Sequence, residues 1–435
     1  MTQPAHSTLA RVTHVLVGYS PVMLGKLDAL LPERSVLVLE EPAVIEARGI
    51  TEAITRNPSV ALLLPVPSQD EENPHRAVEA VPRPPKVRVV VPVVEYGVVV
   101  AAALAEAWGL PGAGPKAARV LRDKSLLRRT AEGTTIAQPA WALVEGPQEV
   151  ERFRSAHGGE CVLKPANRQA SLGVQLLGPQ DDVRAAWAHT TDADEATLRA
   201  QYPGTARFLA EQRLHGPEVS AEVLVHEGIV GFTNITAKSV QDSRHPVEVG
   251  HALPADLPPE TVSALHGSIR ALVAATGFGS GVLHSEWILV DGQPHLVECA
   301  GRLPGGAITV LIDLAYDTHI LKLLLGVLEG TGPAEQLPCV TGAAVRFLVA
   351  PAGLVEETAG VDEARNSDGV YEVHLGTAPG DTVRPTTSSW ERAGYVIATG
   401  ADAAAAARRA GHAAAKITIR TSVPSAEGSS TGGAR

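Results

Sequence analysis

Four short apolar runs open the chain: VTHVLV (12–17), ended by Gly18, then SVLVLEE (35–41), SVALLLP (59–65) and VRVVVPVVEYG (87–97). Each is β-branched and continuous rather than alternating in polarity, and helix-compatible stretches separate them. Strands of that kind, spaced by helices, predict an open α/β sheet with a mostly parallel core. Residues 66–86, with five prolines and several charges, predict a loop. AAALAEAWGLPG (101–112) predicts a helix ended by Gly109 and Pro111. These elements set an N-terminal α/β domain at 1–113.

From Pro115 the pattern changes. AARVLRDKSLLRRTAEG (117–133) is amphipathic and predicts a helix, ECVLKPA (160–166) a short buried strand, and NRQASLGVQLL (167–177) a turn and a second strand. TTDADEATLRAQYPG (190–204) is acidic and polar and predicts a helix with a connector, closing a small α+β lobe at 114–204. A larger lobe follows at 205–335. It starts with strands in ARFLAEQRLHGPEVSAEVLVHEG and ends in one long apolar helix, ITVLIDLAYDTHILKLLLGVLEG (308–330). Residues 336–420 return to short strands with Gly and Pro turns and an Ala-rich helix, a C-terminal α+β domain. The composition of 421–435 predicts a disordered tail. No internal repeat is visible.

Apolar residues make up 45% of the chain but aromatics only 4%, so the core is built from Ala, Val and Leu. The net charge of −11 argues against nucleic acid or an anionic membrane as a partner. No run approaches the roughly 18 apolar residues of a membrane span, and MTQPAHSTLARVTH has no apolar signal-peptide core. Cys161, Cys299 and Cys339 are too scattered for a disulfide framework or a CxxC metal site. The expectation is a reducing, cytoplasmic, soluble protein. Lysine is scarce, so a lysine in an apolar setting, such as Lys164 in CVLKPA, calls for a reason.

The segment with the most chemical content is GVLHSEWILVDGQPHLVECAGR (281–302), two apolar runs around Asp-Gly, a hairpin signature. With a two-residue loop, Glu286 and Glu298 fall on opposite faces. With a three-residue loop, Val290 pairs with Pro294 and the two glutamates lie side by side. Two opposed carboxylates need a cation between them, and an all-oxygen site with room for water and phosphate suits Mg²⁺. The turn that follows, with Gly301, Arg302, Gly305 and Gly306, lets backbone and guanidinium approach a phosphate.

The order and spacing of these segments over about 115–330 resemble the ATP-grasp superfamily, a group of ATP-dependent ligases with a two-lobed nucleotide-binding fold. The resemblance implies that Lys124, in ARVLRDKSLLRR, and Lys164 contact nucleotide phosphates. NRQASLGV resembles the loop that folds over them, with Ser171 and Gly173 as the matching residues. In FLAEQRLHGPEVSAEVLV it implies Glu211, Gln212 and Leu214 beside the adenine and Glu218 on the ribose hydroxyls. In SEWILVDGQPHLVECAGRLPGG it implies Glu286 and Glu298 as metal ligands and Arg302 on the transferring phosphoryl group. Many relatives have Asn where this chain has Ala300.

FTNITAKSVQDSRHPVEVGHALPADLP (232–258) is similar to a subgroup that ligates amino acids, such as the bacterial L-amino-acid ligases and carnosine synthase. That similarity implies Glu248 on a substrate ammonium, His251 near an acyl phosphate, Lys238 on the nucleotide or acyl oxygen, and Gly305 and Gly306 in a roomy pocket wall. Residues 336–420 resemble the small domain that follows the grasp in biotin-carboxylase-like relatives, with Arg346 and Gly394 structural and His374 at a rim. The activity implied is ligation of a carboxylate to an amine through an acyl phosphate. Its cofactors are ATP and Mg²⁺ or Mn²⁺, its substrates are small molecules, and a homodimer is compatible with the resemblance. Carboxyphosphate chemistry and a nucleotide-binding protein without turnover are the alternatives.

Overall fold

The computed structural model describes residues 6–202 and 206–422. Its first sheet is parallel, with strands β1 (His14–Val17), β2 (Val36–Glu40), β3 (Val60–Pro65) and β4 (Val89–Pro92) in the order β3-β2-β1-β4. Both faces of β1, β2 and β4 are buried and the edge strand β3 is half-buried, which is why these strands read as unbroken apolar runs. Val15, Val17, Leu37 and Leu39 pack on the helix Val98–Trp108, which ends at left-handed Gly109. Leu16, Val36, Val38, Val89 and Val91 face the other way, into the core of the large lobe. The carboxyl ends of the strands point at the cleft, the usual ligand side of an open α/β sheet.

The small lobe is an antiparallel sheet of β5 (Trp141–Val144), β6 (Cys161–Pro165), β7 (Gln175–Leu177) and β8 (Phe208–Glu211), ordered β5-β8-β6-β7. It has its own core, in which Val150, Phe153, Leu163 and Ala186 bring the helices Pro147–Ala156 and Val183–Asp192 onto one face.

The remaining strands are β9 (Glu218–His226), β10 (Ile229–Val240), β11 (Glu248–Leu253), β12 (Gly281–Val290), β13 (Gln293–Ala300), β14 (Gly342–Leu348), β15 (Gly353–Ala359), β16 (Val370–Leu375), β17 (Thr382–Val383), β18 (Gly394–Gly400) and β19 (Thr418–Ser422). Eight of them form one sheet, β13-β12-β9-β10-β11-β14-β18-β16. The boundary drawn at 335/336 therefore crosses continuous structure: β11 and β14 pair directly, Gly250 opposite Arg346. Val345, Phe347 and Ile397 share a core with Leu224, Leu253 and the helix Ile320–Leu328. Only β15, β17 and β19 make a separate sheet.

The mixed α/β and α+β class read from the sequence is what the structure has, with four local differences. The helix expected over 117–133 is two, Pro115–Arg122 and Lys124–Ala131, because the Asp123 carboxylate accepts from the Ser125 and Leu126 N–H groups and starts a new helix. The apolar helix expected over 308–330 is also two, Ile308–Ala315 and Ile320–Leu328. Asp317 has a left-handed φ of 47°, and the Asp313 carboxylate accepts from the Ile320 N–H at 2.7 Å. The helix before residue 204 is Val183–Asp192, and 193–202 is irregular. Thr421 and Ser422, expected in the tail, belong to β19, and the rest of that segment lies outside the described residues. Among the described residues no helix is long and apolar enough to cross a membrane.

Candidate active site

One cleft of about 1110 Å³ lies where the two lobes, the N-terminal sheet and the C-terminal strands meet. Every site residue singled out in the sequence lines it except Gly173 and Lys238.

The hairpin β12–β13 resolves the loop question in a way neither alternative foresaw. The loop has two residues, Asp291 and Gly292, both left-handed, and Val290 pairs with Gln293. That register alone would separate the glutamates. A β-bulge restores them: Trp287 pairs with Leu296, Val297 is the extra residue, and Glu286 stands opposite Glu298. The three-residue loop expected for a side-by-side pair is thus replaced by a two-residue loop plus a bulge. Arg128 holds that bulge. Its guanidinium donates to the carbonyls of Leu296 and Val297, each at 2.8 Å, and forks onto the Glu211 carboxylate at 2.8 and 3.0 Å.

Around Glu286 the charges are dense. The Lys238 ammonium, fully buried, lies 2.5 Å from Glu286, 2.5 Å from Glu248 and 3.3 Å from Glu218. Burial works against the charged ammonium, but the three carboxylates, Glu248 foremost, hold its pKa well above the usual lysine value. Burial likewise disfavours the Glu286 carboxylate, yet Lys238 and His284 pull it down to about 2. Glu218, farthest from the ammonium and beside two other carboxylates, is pushed by burial up to about 7. His284 bridges Glu286 (3.1 Å) and buried Glu222 (3.0 Å), and these bonds outweigh burial and raise it to about 9. Oxygen atoms of Glu218, Glu248 and Glu286 all fall within 4.8 Å of one another, a spacing that fits a hard cation.

Glu298 turns to the other wall, where Lys124 meets it at 3.0 Å while donating to the Arg168 carbonyl at 2.8 Å. Lys164 and Arg128 both sit on Glu211, Lys164 at 2.7 Å. Burial lowers the Lys164 pKa despite that partner. The Glu211 carboxylate, expected beside an adenine, lines the cleft and is the counter-ion of Arg128 and Lys164 in this buried triad. Gln212 donates its backbone N–H to the Ala140 carbonyl at 2.8 Å. The Glu218 carboxylate, expected on a ribose, faces Lys238.

Ser171 is left-handed (φ 57°) and its hydroxyl donates to the Pro246 carbonyl at 3.3 Å. Gly173, at φ 72°, has no room for a side chain: a Cβ would stand 2.9 Å from that of Ala193. Arg302 pairs through Nε with Glu95 at 2.7 Å and donates to the Leu303 carbonyl. Burial opposes the Glu95 carboxylate, but Arg302 and Arg122 bring it down to about 2. His251 is buried with neither ring nitrogen hydrogen-bonded, Nε2 lying 3.5 Å from Glu248. Gly306 passes so close that a Cβ would sit 2.7 Å from that nitrogen, whereas Gly305 faces open space. His374 lines the rim, and Gly394 packs against the His374 carbonyl.

Four groups escaped the sequence reading: Arg128, Glu95, His284 and Arg392. Two left a trace. Arg128 is four residues from Lys124 on a helix, and His284 shares the Glu286 face of β12.

The family of the ATP-grasp domain matches residues 158–310, and that of the L-amino acid ligase C-terminal domain 2 matches residues 346–422. Residues 158–310 belong to the ATP-grasp domain family. An L-amino acid ligase from Bacillus licheniformis has the same fold, with a TM-score of 0.76 at 20% identity over 94% of this chain and 99% of that one. The chain is also 26% identical to the uncharacterised protein y4rH of Sinorhizobium fredii over 67% of its own length. It is 23% identical to the alanine–anticapsin ligase of Bacillus subtilis over 51% of its length. The chain spans 59% and 50%, respectively, of the lengths of those two relatives.

Proposed function

We propose that this protein joins the carboxylate of one amino acid to the amine of another, with ATP converted to ADP and phosphate. One observation carries the proposal. The cleft that gathers Lys124, Lys164 and Arg302 also holds Glu218, Glu248 and Glu286 around an ammonium, that of Lys238. Fixed cations suit a triphosphate, and carboxylates that already grip one ammonium suit the amino group of a substrate. The match of residues 346–422 and the amino-acid ligases among the similar proteins support the same reading.

Each residue then has a task. Lys124, Lys164 and Arg302 orient the phosphates and offset the charge that develops when a substrate carboxylate attacks the γ-phosphorus and ADP leaves. Glu248 holds the substrate ammonium, and His251, buried with both ring nitrogens free, stands beside it. The amine of the second substrate attacks the acyl carbon, the C–N bond forms and phosphate leaves. Ser171 and Gly173 shape a loop that keeps water from the acyl phosphate. Gln212 and Leu214 are placed for the adenine. Glu286 and Glu298, paired across the bulge, are the residues that would hold Mg²⁺, which would supply neutralisation of the phosphate charge. With Ala300 the chain offers no third side-chain oxygen from β13.

The test is phosphate release from ATP and Mg²⁺ with amino acids in pairs, followed by mass spectrometry of the product. A peptide-mass product supports the proposal. Phosphate release that needs bicarbonate and gives no peptide would replace it with carboxyphosphate chemistry.

A further inference from the structure

The turn Ser388–Arg392, between β17 and β18, reaches the cleft and touches three other parts of the molecule. It is rigid: Ser388 and Glu391 form a reciprocal cap around a single 3-10 turn. The Ser389 N–H donates to the Ala170 carbonyl at 3.0 Å, inside the 167–173 loop of the small lobe. The Trp390 indole donates to Glu195 at 2.8 Å, and Glu195 also accepts from the Tyr96 hydroxyl of the N-terminal domain. Arg392 donates to Glu248 Oε2 at 3.0 Å, and its guanidinium lies 3.8 Å from the centre of the Phe347 ring. Trp390 remains 53% exposed, so little apolar area holds this contact shut.

The two oxygens of Glu248 are used differently. Oε2 takes Arg392, and Oε1 takes Lys238. Arg392 Nε and both ring nitrogens of His251 are buried without a hydrogen bond, although His251 Nε2 also lies 3.5 Å from Glu248 Oε2. A buried polar site left that incomplete expects a polar ligand or water. With Oε2 pinned from the C-terminal side, Oε1 is the atom that can exchange the lysine ammonium for another.

Resting on the amino-acid ligase reading, we propose that Arg392 is a positioning residue for the amino acid whose ammonium Glu248 receives, and that the 388–392 turn is a clasp supplying it as the small lobe closes. Closing the loop over the phosphates and orienting the ammonium carboxylate thereby become one event. An amino acid that fails to settle on Glu248 leaves the clasp loose and the acyl phosphate open to water.

Wild type, Arg392→Ala, Arg392→Lys and Trp390→Phe would be compared for the KM of each amino acid, the KM of ATP and the ADP released per amide formed. Losing a charged hydrogen bond at a binding site predicts a rise of about tenfold or more in the KM of one amino acid for Arg392→Ala. The KM of ATP should stay near wild type, and Arg392→Lys should recover part of the loss. Trp390→Phe should raise that KM in the same direction, by less than Arg392→Ala, and raise the ADP released without amide. Equal changes in all three KM values, no change, or wild-type coupling in Trp390→Phe would overturn the proposal. If no amino-acid pair supports turnover in wild type, it is the ligase reading that fails. Hydrogen exchange across 167–173 with Mg²⁺ and a non-hydrolysable ATP analogue then decides the clasp by itself. Faster exchange in Trp390→Phe than in wild type supports it, and equal exchange rejects it.

Discussion

Arg128 makes no contact that chemistry at the γ-phosphate would require, yet it fixes where one carboxylate stands. Its guanidinium joins the two bulge carbonyls to Glu211, and Glu211 in turn holds Lys164. Replacing it with Met removes one member of a buried ion cluster, so stability should fall by about 3 to 5 kcal/mol in urea unfolding. The Mg²⁺ concentration for half-maximal ADP release should rise as well, because Val297 and Glu298 lose their anchor. An unchanged Mg²⁺ requirement would mean that the bulge holds without it. Glu211 adds a pH signature. Burial raises its pKa, but Arg128 and Lys164 bring it down to about 2, below an unfolded value near 4.5. Its contribution is therefore complete above about pH 4.5 and disappears as pH falls toward 2, on the order of 3 kcal/mol in all. Urea titrations across that window should show a steeper decline for wild type than for Glu211→Gln. Beyond its spacing of four residues from Lys124, little of this was readable from the sequence, where Arg128 and Arg129 look alike. Which of them turns inward depends on the helix break at Asp123.

At the scale of elements, the hairpin shows what periodicity can and cannot deliver. Asp291-Gly292 announced the turn, and the apolar runs on either side announced two strands. The pairing of Glu286 with Glu298 needed a bulge set from outside the hairpin, by a helix some 170 residues earlier in the chain, so no local rule could decide it. Lys238 was likewise a candidate, through the similarity of its segment to the amino-acid ligases. Its burial among three carboxylates required β9, β10, β11 and β12 to lie side by side. The glycine turn after β13 is more self-contained. Gly306 has a left-handed φ of 59° and no space on the His251 side. Gly306→Ala should displace that imidazole by a few tenths of an ångström or more. Turnover should drop by about tenfold to a hundredfold, with only a modest fall in melting temperature from the strained backbone. Full activity in this variant would remove His251 from the site.

For the molecule as a whole, the sequence suggested four units, and the strands were counted well enough to see them. Their mutual pairing was not visible, because β11 and β14 are separated by some ninety residues of helix, hairpin and loop. Val345, Phe347 and Ile397 complete the core beneath the large lobe. A chain ending at residue 340 should therefore lose cooperative melting rather than yield a smaller folded enzyme; circular dichroism on heating would decide, and a sharp transition would count against a shared core. The same continuity constrains how anything enters or leaves. With eight strands hydrogen-bonded into a single plate beneath it, the floor of the cleft has no seam along which to part. The small lobe, with a sheet and core of its own, is where an opening motion would fall. Traffic through the site would then run at the pace of that one hinged body, however fast the bond-making underneath it becomes.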